Sequence, residues 1–182
     1  SRIQDRRGKT IFKIEDRVCV GCDKYLNNSK EYPFIKYDNE RIFSEETAYQ
    51  MTSILEGVVK RGTGKKLRDL NVPLAGKTGT TNNNYDAWFI GFSSDLVIGV
   101  YIGFDNPKSL GKYETGSKAA LPIFKDFIKK SLFKEDFKDF KIPEGIYLTS
   151  LNYNTGRKSS LGEKNTIIEA LKEKDINNIN NN

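Results

Sequence analysis

The 182-residue sequence predicts an α+β fold in which an antiparallel sheet is flanked by helices. Two segments, one beginning at Ser44 and one over about 117–133, repeat apolar side chains at helical spacing. Between them lie two apolar runs, Ala87–Phe92 and Leu96–Phe104, separated by only three residues. Strands joined by so short a connection must be antiparallel neighbours. The middle of the chain is therefore expected to form the sheet, and the helices to pack against it.

The composition, with 37% hydrophobic and 30% charged residues, is that of a soluble and rather polar protein. A chain of this length can bury one ordinary core, so we expect one domain or part of a larger one. The net charge is +6, but the basic residues are scattered and no nucleic-acid-binding motif accompanies them. A solvated basic surface is therefore favoured over a nucleic-acid partner.

No targeting or membrane segment is evident. The longest apolar run, Leu96–Phe104, is far shorter than the roughly 20 residues that a membrane-spanning helix needs. No signal peptide is visible, and the first residue is Ser1 rather than Met. These features suggest a piece of a longer protein.

The sequence contains no histidine, which excludes Ser-His-Asp triads, Cys-His pairs and His-ligated zinc sites and leaves lysine as the obvious general base. Its two cysteines, Cys19 and Cys22, form a Cys-x-x-Cys pair. A zinc site would need a second ligand pair, which is absent. A local disulfide between Cys19 and Cys22 is the favoured interpretation, and two free thiols are the alternative.

The N-terminal third of the chain is expected to contain a hairpin, then an irregular connector, then a helix. Residues 1–14 are expected to form a short hairpin around Arg6–Gly8, and residues 15–43 a polar, irregular connector. Ser44 is then a suitable N-cap for a helix that ends near Lys60, with Gly62 as its left-handed stop. One helix face repeats apolar residues, namely Ala48, Met51, Leu55, Val58 and Val59.

The C-terminal half is expected to contain a second helix and then a small β-rich region. The helix presents a stripe better explained by core packing than by ligand binding: Ala120, Phe124, Phe127, Ile128 and Leu132. Apolar residues on both faces of the two central strands suggest that helices cover both sides of the sheet. Residues 177–182 are low-complexity and polar, which predicts disorder.

The most informative motif is the Lys-Thr-Gly-Thr sequence at Lys77–Thr80, on a predicted strand. Alternation along a strand puts Lys77 and Gly79 on one face and Thr78 and Thr80 on the other. A fixed cation, two hydroxyls and a glycine that permits close approach suit serine acyl transfer on an anionic substrate. The edge of the strand can also offer a backbone N–H to a developing oxyanion.

A phosphate-cradling loop is the competing interpretation of the Gly-Lys-Thr sequence at Gly76–Thr78. That motif requires a glycine five places before Gly76, where the sequence has Asn71. Gly62–Lys65 fails as well, because Lys66 stands where a magnesium-binding Ser or Thr is required. Nucleotide binding is therefore not expected.

Further segments accompany Lys77–Thr80 in a fixed order: Gly62–Gly64, Asp86–Phe92, Gly103–Asp105, Thr115–Gly116 and Ala119–Phe124. In order and spacing, this set resembles the C-terminal part of the transpeptidase domain of class A penicillin-binding proteins, the bifunctional peptidoglycan synthases. The specific part of the resemblance covers Ser44–Leu132, and a looser likeness covers nearly the whole chain.

The resemblance implies a β-lactamase/transpeptidase-like fold that is present only in part. Residues 1–140 would be the C-terminal portion of the transpeptidase domain, 141–176 a small β-rich extension and 177–182 a disordered tail. The implied partners are the D-Ala-D-Ala stem peptide of peptidoglycan and the β-lactams that mimic it, with no cofactor, metal or nucleic acid. The implied location is the periplasmic face of a bacterial inner membrane, through an N-terminal anchor outside this chain.

The resemblance also implies roles for individual residues of the motif. Lys77 would supply positive charge and tie a second site motif to the substrate. The hydroxyls of Thr78 and Thr80 would orient the substrate carboxylate, and the backbone N–H of Thr80 would complete the oxyanion hole. Gly79 and Thr81 would complete the substrate-binding set. Asp86 would order the turn that follows, and Trp88, Phe89 and Phe92 would pack the sheet.

The sequence departs from this family at the nucleophile. In the family, Ser-x-x-Lys and Ser-x-Asn precede Lys-Thr-Gly, whereas here Ser-x-x-Lys occurs only at Ser109–Lys112 and Ser131–Lys134. Ser-x-Asn occurs at Ser150–Asn152, again after Lys77. We therefore expect the chain alone to bind β-lactams weakly if at all and to catalyse no reaction.

Two other functions remain open at this point. The chain could be a non-catalytic remnant that binds the cell wall or a protein partner through its basic surface. It could also come from a D,D-carboxypeptidase or a β-lactamase, although the block from Trp88 to Phe124 resembles the synthases specifically. A reading frame that begins at Ser1, with no coding sequence upstream, would favour the first alternative.

Overall fold

A computed structural model describes residues 2–4, 6–13, 18–20, 34–36, 41–131 and 137–180. The chain divides into two units by contacts, Ser1–Ile42 and Phe43–Asn182. The domain boundaries predicted from the sequence, after residues 140 and 176, stay a prediction.

The N-terminal unit contains two small antiparallel ladders. Strands β1 (Arg2–Gln4) and β2 (Thr10–Lys13) pair as the predicted hairpin. Strands β3 (Val18–Val20) and β4 (Phe34–Lys36) also pair. The prediction of an irregular connector over residues 15–43 is therefore wrong in part. Each of these strands is only three residues long, and their pairing is distant in sequence, so no local pattern indicates it.

The predicted disulfide cannot be placed on this unit. Cys19 lies on β3 opposite Ile35. Cys22 lies outside the described residues, so a Cys19–Cys22 disulfide stays a prediction.

Helix α1 (Glu45–Lys60) begins as its sequence predicts. Ser44 has extended backbone angles, and its hydroxyl accepts a hydrogen bond from the Thr47 N–H at 3.3 Å. Glu45 and Glu46 lie in the first turn and Lys60 in the last, as the helix dipole favours. The start of the helix is thus determined by local hydrogen bonding and charge.

Substituting Ser44→Ala should lower the free energy of unfolding of the chain by about 1 kcal/mol, because an N–H of the first turn loses its acceptor. Ser44→Asp is the matched control, since a carboxylate oxygen can accept the same bond and adds favourable charge at the N-terminus. Thermal unfolding followed by circular dichroism measures both variants. Equal losses for Ala and Asp would contradict the capping role.

Two details of α1 differ from the prediction. Met51 is 53% exposed and Ala48 is also exposed, whereas Val59 is buried, so only the C-terminal part of the predicted stripe enters the core. Gly62 does not have the left-handed conformation expected of a helix stop. A Cβ there would instead lie 3.0 Å from backbone atoms of Val58, so the glycine permits close packing on the last helical turn.

The central sheet has the order β5-β6-β7 and is antiparallel throughout. Its strands are β5 (Ala75–Thr80), β6 (Ala87–Phe92) and β7 (Val97–Ile102), close to the predicted bounds. A 3₁₀ helix at Lys65–Leu70 precedes β5, and a shorter one at Asn82–Asn84 connects β5 to β6. The predicted fold class, an antiparallel sheet with helices, is confirmed.

One face of the sheet is covered by helix α2 (Ala120–Ser131). Phe89 of β6 and Phe124 of α2 are both fully buried, with their ring centroids 4.8 Å apart in an edge-to-face arrangement. The buried stripe of α2 is completed by Ala120, Leu121 and Ile128. The stripe differs from the predicted one: Phe127 is 45% exposed, and Leu132 lies outside the described residues.

The opposite face of the sheet is largely exposed within the described part of the chain, although Ala75 at one end is buried and Phe92 there packs against Phe140, with ring centroids 5.8 Å apart. It carries large apolar side chains that are 40–70% exposed: Trp88 at 40%, Ile90 at 48%, Tyr101 at 50% and Val97 at 70%. The expectation that helices cover both sides of these strands is therefore wrong for the residues described. Both faces of these strands carry apolar side chains, but among the described residues a helix, α2, packs against only one of them.

The C-terminal region is β-rich, as its sequence predicts. Strands β8 (Ile146–Asn152) and β9 (Thr166–Lys172) form a hairpin, followed by helix α3 (Glu173–Asn180). This hairpin contacts α1, since Gln50 Nε2 donates to Ala170 O at 3.1 Å and Arg61 pairs with Glu169 at 2.6 Å. The tail expected to be disordered from residue 177 is helical as far as Asn180.

None of the helices in the described ranges is long and apolar enough to cross a membrane.

Candidate functional site

Strand β5, which carries the Lys-Thr-Gly-Thr motif, is an outer strand of its sheet, and no strand among the described residues pairs with its other edge, called the free edge below. Just beyond the end of β5, the Thr81 N–H donates to Asp86 O at 3.1 Å. Hydrogen-bonded and non-hydrogen-bonded residue pairs alternate along antiparallel strands. Because Thr81 and Asp86 form a hydrogen-bonded pair, the next pair, Thr80 and Ala87, is non-hydrogen-bonded, and the pair after it, Gly79 and Trp88, is hydrogen-bonded again. The Thr80 N–H therefore points away from β6, toward the free edge of β5.

Lys77 is exposed and shares a face of the sheet with Ile90, its cross-strand partner. Its Nζ donates to Thr78 O at 2.8 Å and lies 3.4 Å from Thr78 Oγ1. By the same alternation, the Thr78 carbonyl faces the free edge. The ammonium group thus lies at the strand edge, on the side where Thr80 offers its N–H.

Thr78 and Thr80 point to the face opposite Lys77, as strand alternation predicts. Thr78 Oγ1 lies 3.0 Å from Thr63 Oγ1, in the turn after α1. Thr80 Oγ1 accepts a hydrogen bond from the Gly116 N–H at 3.0 Å. The Thr78 and Thr80 hydroxyls therefore already have contacts within the chain.

The contact of Gly116 with β5 is unusually close. A Cβ on Gly116 would lie 2.5 Å from Gly79 O and closer still to Trp88 O, so only glycine fits without moving the backbone. No role for this residue was predicted from the sequence, although Thr115–Gly116 belongs to the segments that carry the family resemblance. Its function is visible only in the folded chain, where it holds the loop before α2 against the motif strand.

The turn after β5 is organised around Asp86. The Asp86 N–H donates to Thr81 Oγ1 at 2.8 Å, and Thr81 Oγ1 donates to the Asp86 carboxylate at 3.3 Å. The Tyr101 hydroxyl donates to the same carboxylate at 2.8 Å, and this hydrogen bond raises the pKa of Tyr101 above its ordinary value. The Thr81 hydroxyl thus shapes the turn, and a role for it in substrate binding stays a prediction.

The downstream copies of the nucleophile motifs do not lie on the motif strand. Ser109 is in a loop, where its hydroxyl donates to Asn83 O at 2.8 Å. Ser131 is the last residue of α2. Ser150 lies on β8, and Asn152 Oδ1 caps the following turn by accepting from the Asn154 N–H at 3.0 Å. None of the three serines is at the start of a helix, where the motif requires its nucleophile.

Two clefts in the Phe43–Asn182 unit have volumes of about 780 and 590 Å³, and neither is lined by any residue from Lys77 to Thr81. The larger cleft is lined in part by Lys65, Arg68, Leu121 and Lys125. Among the described residues, no group of three or more His, Cys, Asp or Glu side chains could hold a metal ion.

Known proteins resemble the chain in both sequence and structure. The family model of the penicillin binding protein transpeptidase domain matches residues 24–129. Penicillin-binding protein 1A of Rickettsia prowazekii is 43% identical over 97% of this chain and 22% of its own length. Penicillin-binding protein 1A of Pseudomonas aeruginosa is 42% identical over 75% of this chain and 17% of its own length.

The crystal structure of penicillin-binding protein 1A from Haemophilus influenzae superimposes with a TM-score of 0.63 at 26% identity. The match covers 92% of this chain and 28% of that one. The chain therefore spans between 17% and 28% of the length of these relatives.

Proposed function

The chain belongs to the penicillin-binding protein transpeptidase family, and on that premise we propose that it supplies the Lys-Thr-Gly side of a peptidoglycan D,D-transpeptidase site. The observation that carries the proposal is the free edge of β5. There, the Lys77 ammonium and the Thr80 N–H face the same space beside the Thr78 hydroxyl. A cation, a hydroxyl and a backbone donor that points away from the paired strand, all at one edge, suit an anionic acyl substrate.

In the proposed reaction, a serine hydroxyl attacks the carbonyl between the two terminal D-alanines of a stem peptide. The serine–acyl bond forms, the peptide bond breaks, and D-alanine leaves with the proton. An amine of a second stem peptide then takes the acyl group and regenerates the serine. β-Lactams would acylate the same serine.

Within this reaction, the chain's residues stabilise charge rather than form bonds. The Thr80 N–H would donate to the oxyanion of each tetrahedral intermediate, and loss of one such donor typically costs about 2.7–4 kcal/mol in the barrier. Lys77 and the Thr78 and Thr80 hydroxyls would hold the substrate carboxylate. Gly79, which has no side chain, leaves room for the acyl group beside the strand.

The serine nucleophile would come from a part of the domain outside this chain. No Ser-x-x-Lys precedes Lys77, and the downstream serines lie in a loop and at the last residue of α2, not at the start of a helix facing β5. The open sheet face supports this division, because Lys77 emerges from the same face as the exposed Trp88 and Ile90. A segment packed on that face would bury these side chains and bring its serine next to Lys77.

We further propose that the enzyme acts at the periplasmic face of a bacterial inner membrane, where its peptidoglycan substrate is found. An anchor outside this chain would hold it there. The reaction as written calls for no cofactor: a general-base lysine beside the serine, also outside this chain, would carry the serine proton to the leaving D-alanine, and this chain would supply the cation and the hydrogen-bond donors.

A chimera tests the proposed function. The matching C-terminal segment of the Rickettsia prowazekii protein is replaced by this chain, and the purified chimera is incubated with fluorescent penicillin. We expect covalent labelling of the chimera, and none of the same relative truncated before the matching segment. A chimera that folds, by circular dichroism, yet takes up no label would refute the proposal.

A further inference from the structure

Thr63 lies at a turn whose position is tightly fixed. The N–H groups of Gly62 and Gly64 both donate to Val58 O, at 3.1 and 2.9 Å. A Cβ on Gly62 or Gly64 would lie 3.0 or 3.1 Å from the same carbonyl, so both glycines are needed for the close approach to α1. The residue between them is therefore presented in one place, beside β5.

The threonine itself is not explained by the fold. Its side chain is exposed, so it adds little to the core. Within the described residues, the hydroxyl of Thr63 has one hydrogen-bond partner, Thr78 Oγ1, at 3.0 Å. The turn needs its two glycines, but it does not need a hydroxyl between them.

The hydrogen-bond partners of Thr78 indicate a role for the Thr63 hydroxyl. A threonine hydroxyl has one proton to donate and two lone pairs to accept with. Lys77 Nζ lies 3.4 Å from Thr78 Oγ1 and can only donate. If Thr63 also donates, both lone pairs of Thr78 are occupied, and the Thr78 proton is left to point at an external acceptor. If Thr78 donated to Thr63 instead, no proton would remain for a substrate.

We infer that Thr63 is a positioning residue, which donates to Thr78 and so turns the Thr78 hydroxyl proton toward the substrate carboxylate. The inference rests on the proposed function and extends it by one residue. Thr63 acts on the carboxylate only through Thr78, so its effect depends on a negatively charged substrate group. A substrate that lacks the carboxylate would react no faster because of the Thr63–Thr78 hydrogen bond.

The test uses the chimera with two substitutions, Thr63→Val and Thr63→Ser. Valine keeps the shape of threonine and removes the hydroxyl, whereas serine keeps the hydroxyl. The rate of acylation is measured with benzylpenicillin and with its methyl ester, which lacks the carboxylate. Because both probes meet the same protein, the ratio of the two rates is independent of the folded fraction.

Thr63→Val should lower the acid-to-ester rate ratio about tenfold, as expected for a weakened hydrogen bond to a charged group, and Thr63→Ser should restore it. A Val variant with the unaltered ratio, equal slowing of both probes, or a Ser variant that fails to restore the ratio would overturn the inference. In those cases the proposed function stands, because the unaltered chimera is still acylated. An unaltered chimera that takes up no penicillin would overturn both.

Discussion

Replacing Lys77 by methionine in the chimera should slow acylation by benzylpenicillin on the order of 10²–10³-fold, the size expected for loss of one strong electrostatic contact to the reacting group. Methionine keeps the length and the apolar stem of lysine but removes the ammonium group that bonds Thr78 O at 2.8 Å. The strand edge would then lack its cation, and the substrate carboxylate would lose its counter-charge. The time course of covalent labelling measures the rate.

Lys164→Met is the matched control for this change. Lys164 is also exposed, but it lies in the β8–β9 connection, away from the motif strand. This variant should label at the unaltered rate. A folded Lys77→Met variant that labels as fast as the control would show that the cation at the edge of β5 has no part in acylation.

Gly116→Ala should both destabilise the protein and damage the site. The new Cβ would lie 2.5 Å from Gly79 O and would also contact Trp88 O. These are backbone atoms of the paired strands β5 and β6, so they cannot rotate away as a side chain could. We expect a loss of about 1–3 kcal/mol in the free energy of unfolding, as for other overpacked sites. Displacement of the loop would also break the bond from the Gly116 N–H to Thr80 Oγ1 and move the predicted oxyanion donor.

Gly99→Ala is the matched control for Gly116→Ala. Gly99 lies on β7, and within the described residues the one non-neighbouring atom within 4 Å of a Cβ there is Ile90 Cγ1, at 3.9 Å. Thermal unfolding of the chain and penicillin labelling of the chimera should be nearly unchanged in this variant and impaired in Gly116→Ala. Equal unfolding temperatures for the two variants would show that the loop before α2 is not packed on β5 as described.

The parts of the fold that could be predicted are those whose signals are local. The start of α1 is set by one side-chain bond from Ser44 to a backbone N–H three residues away. The strands β6 and β7 are apolar runs separated by a short turn, so their pairing follows from chain connectivity alone. The β3–β4 ladder joins segments more than a dozen residues apart and leaves no comparable pattern.

In the candidate site, too, the features with local signals could be predicted and those that depend on distant contacts could not. The alternate faces of Lys77 and Thr78 follow from the periodicity of any strand. The direction of each backbone N–H on β5 depends on which residue pairs of β5 and β6 are hydrogen-bonded. That alternation cannot be determined from the sequence. The contacts of Thr63 and Gly116 join β5 to distant turns, so they become visible only when the chain is folded.

The most direct measurement locates the penicillin adduct in the chimera by proteolysis and mass spectrometry. A site shared between two parts of the domain predicts the adduct on a serine in the portion contributed by the Rickettsia prowazekii protein, and none on the 182 residues of this chain. An adduct on a serine of this chain, such as Ser109 or Ser131, would contradict the division of the site and place the nucleophile within the chain itself.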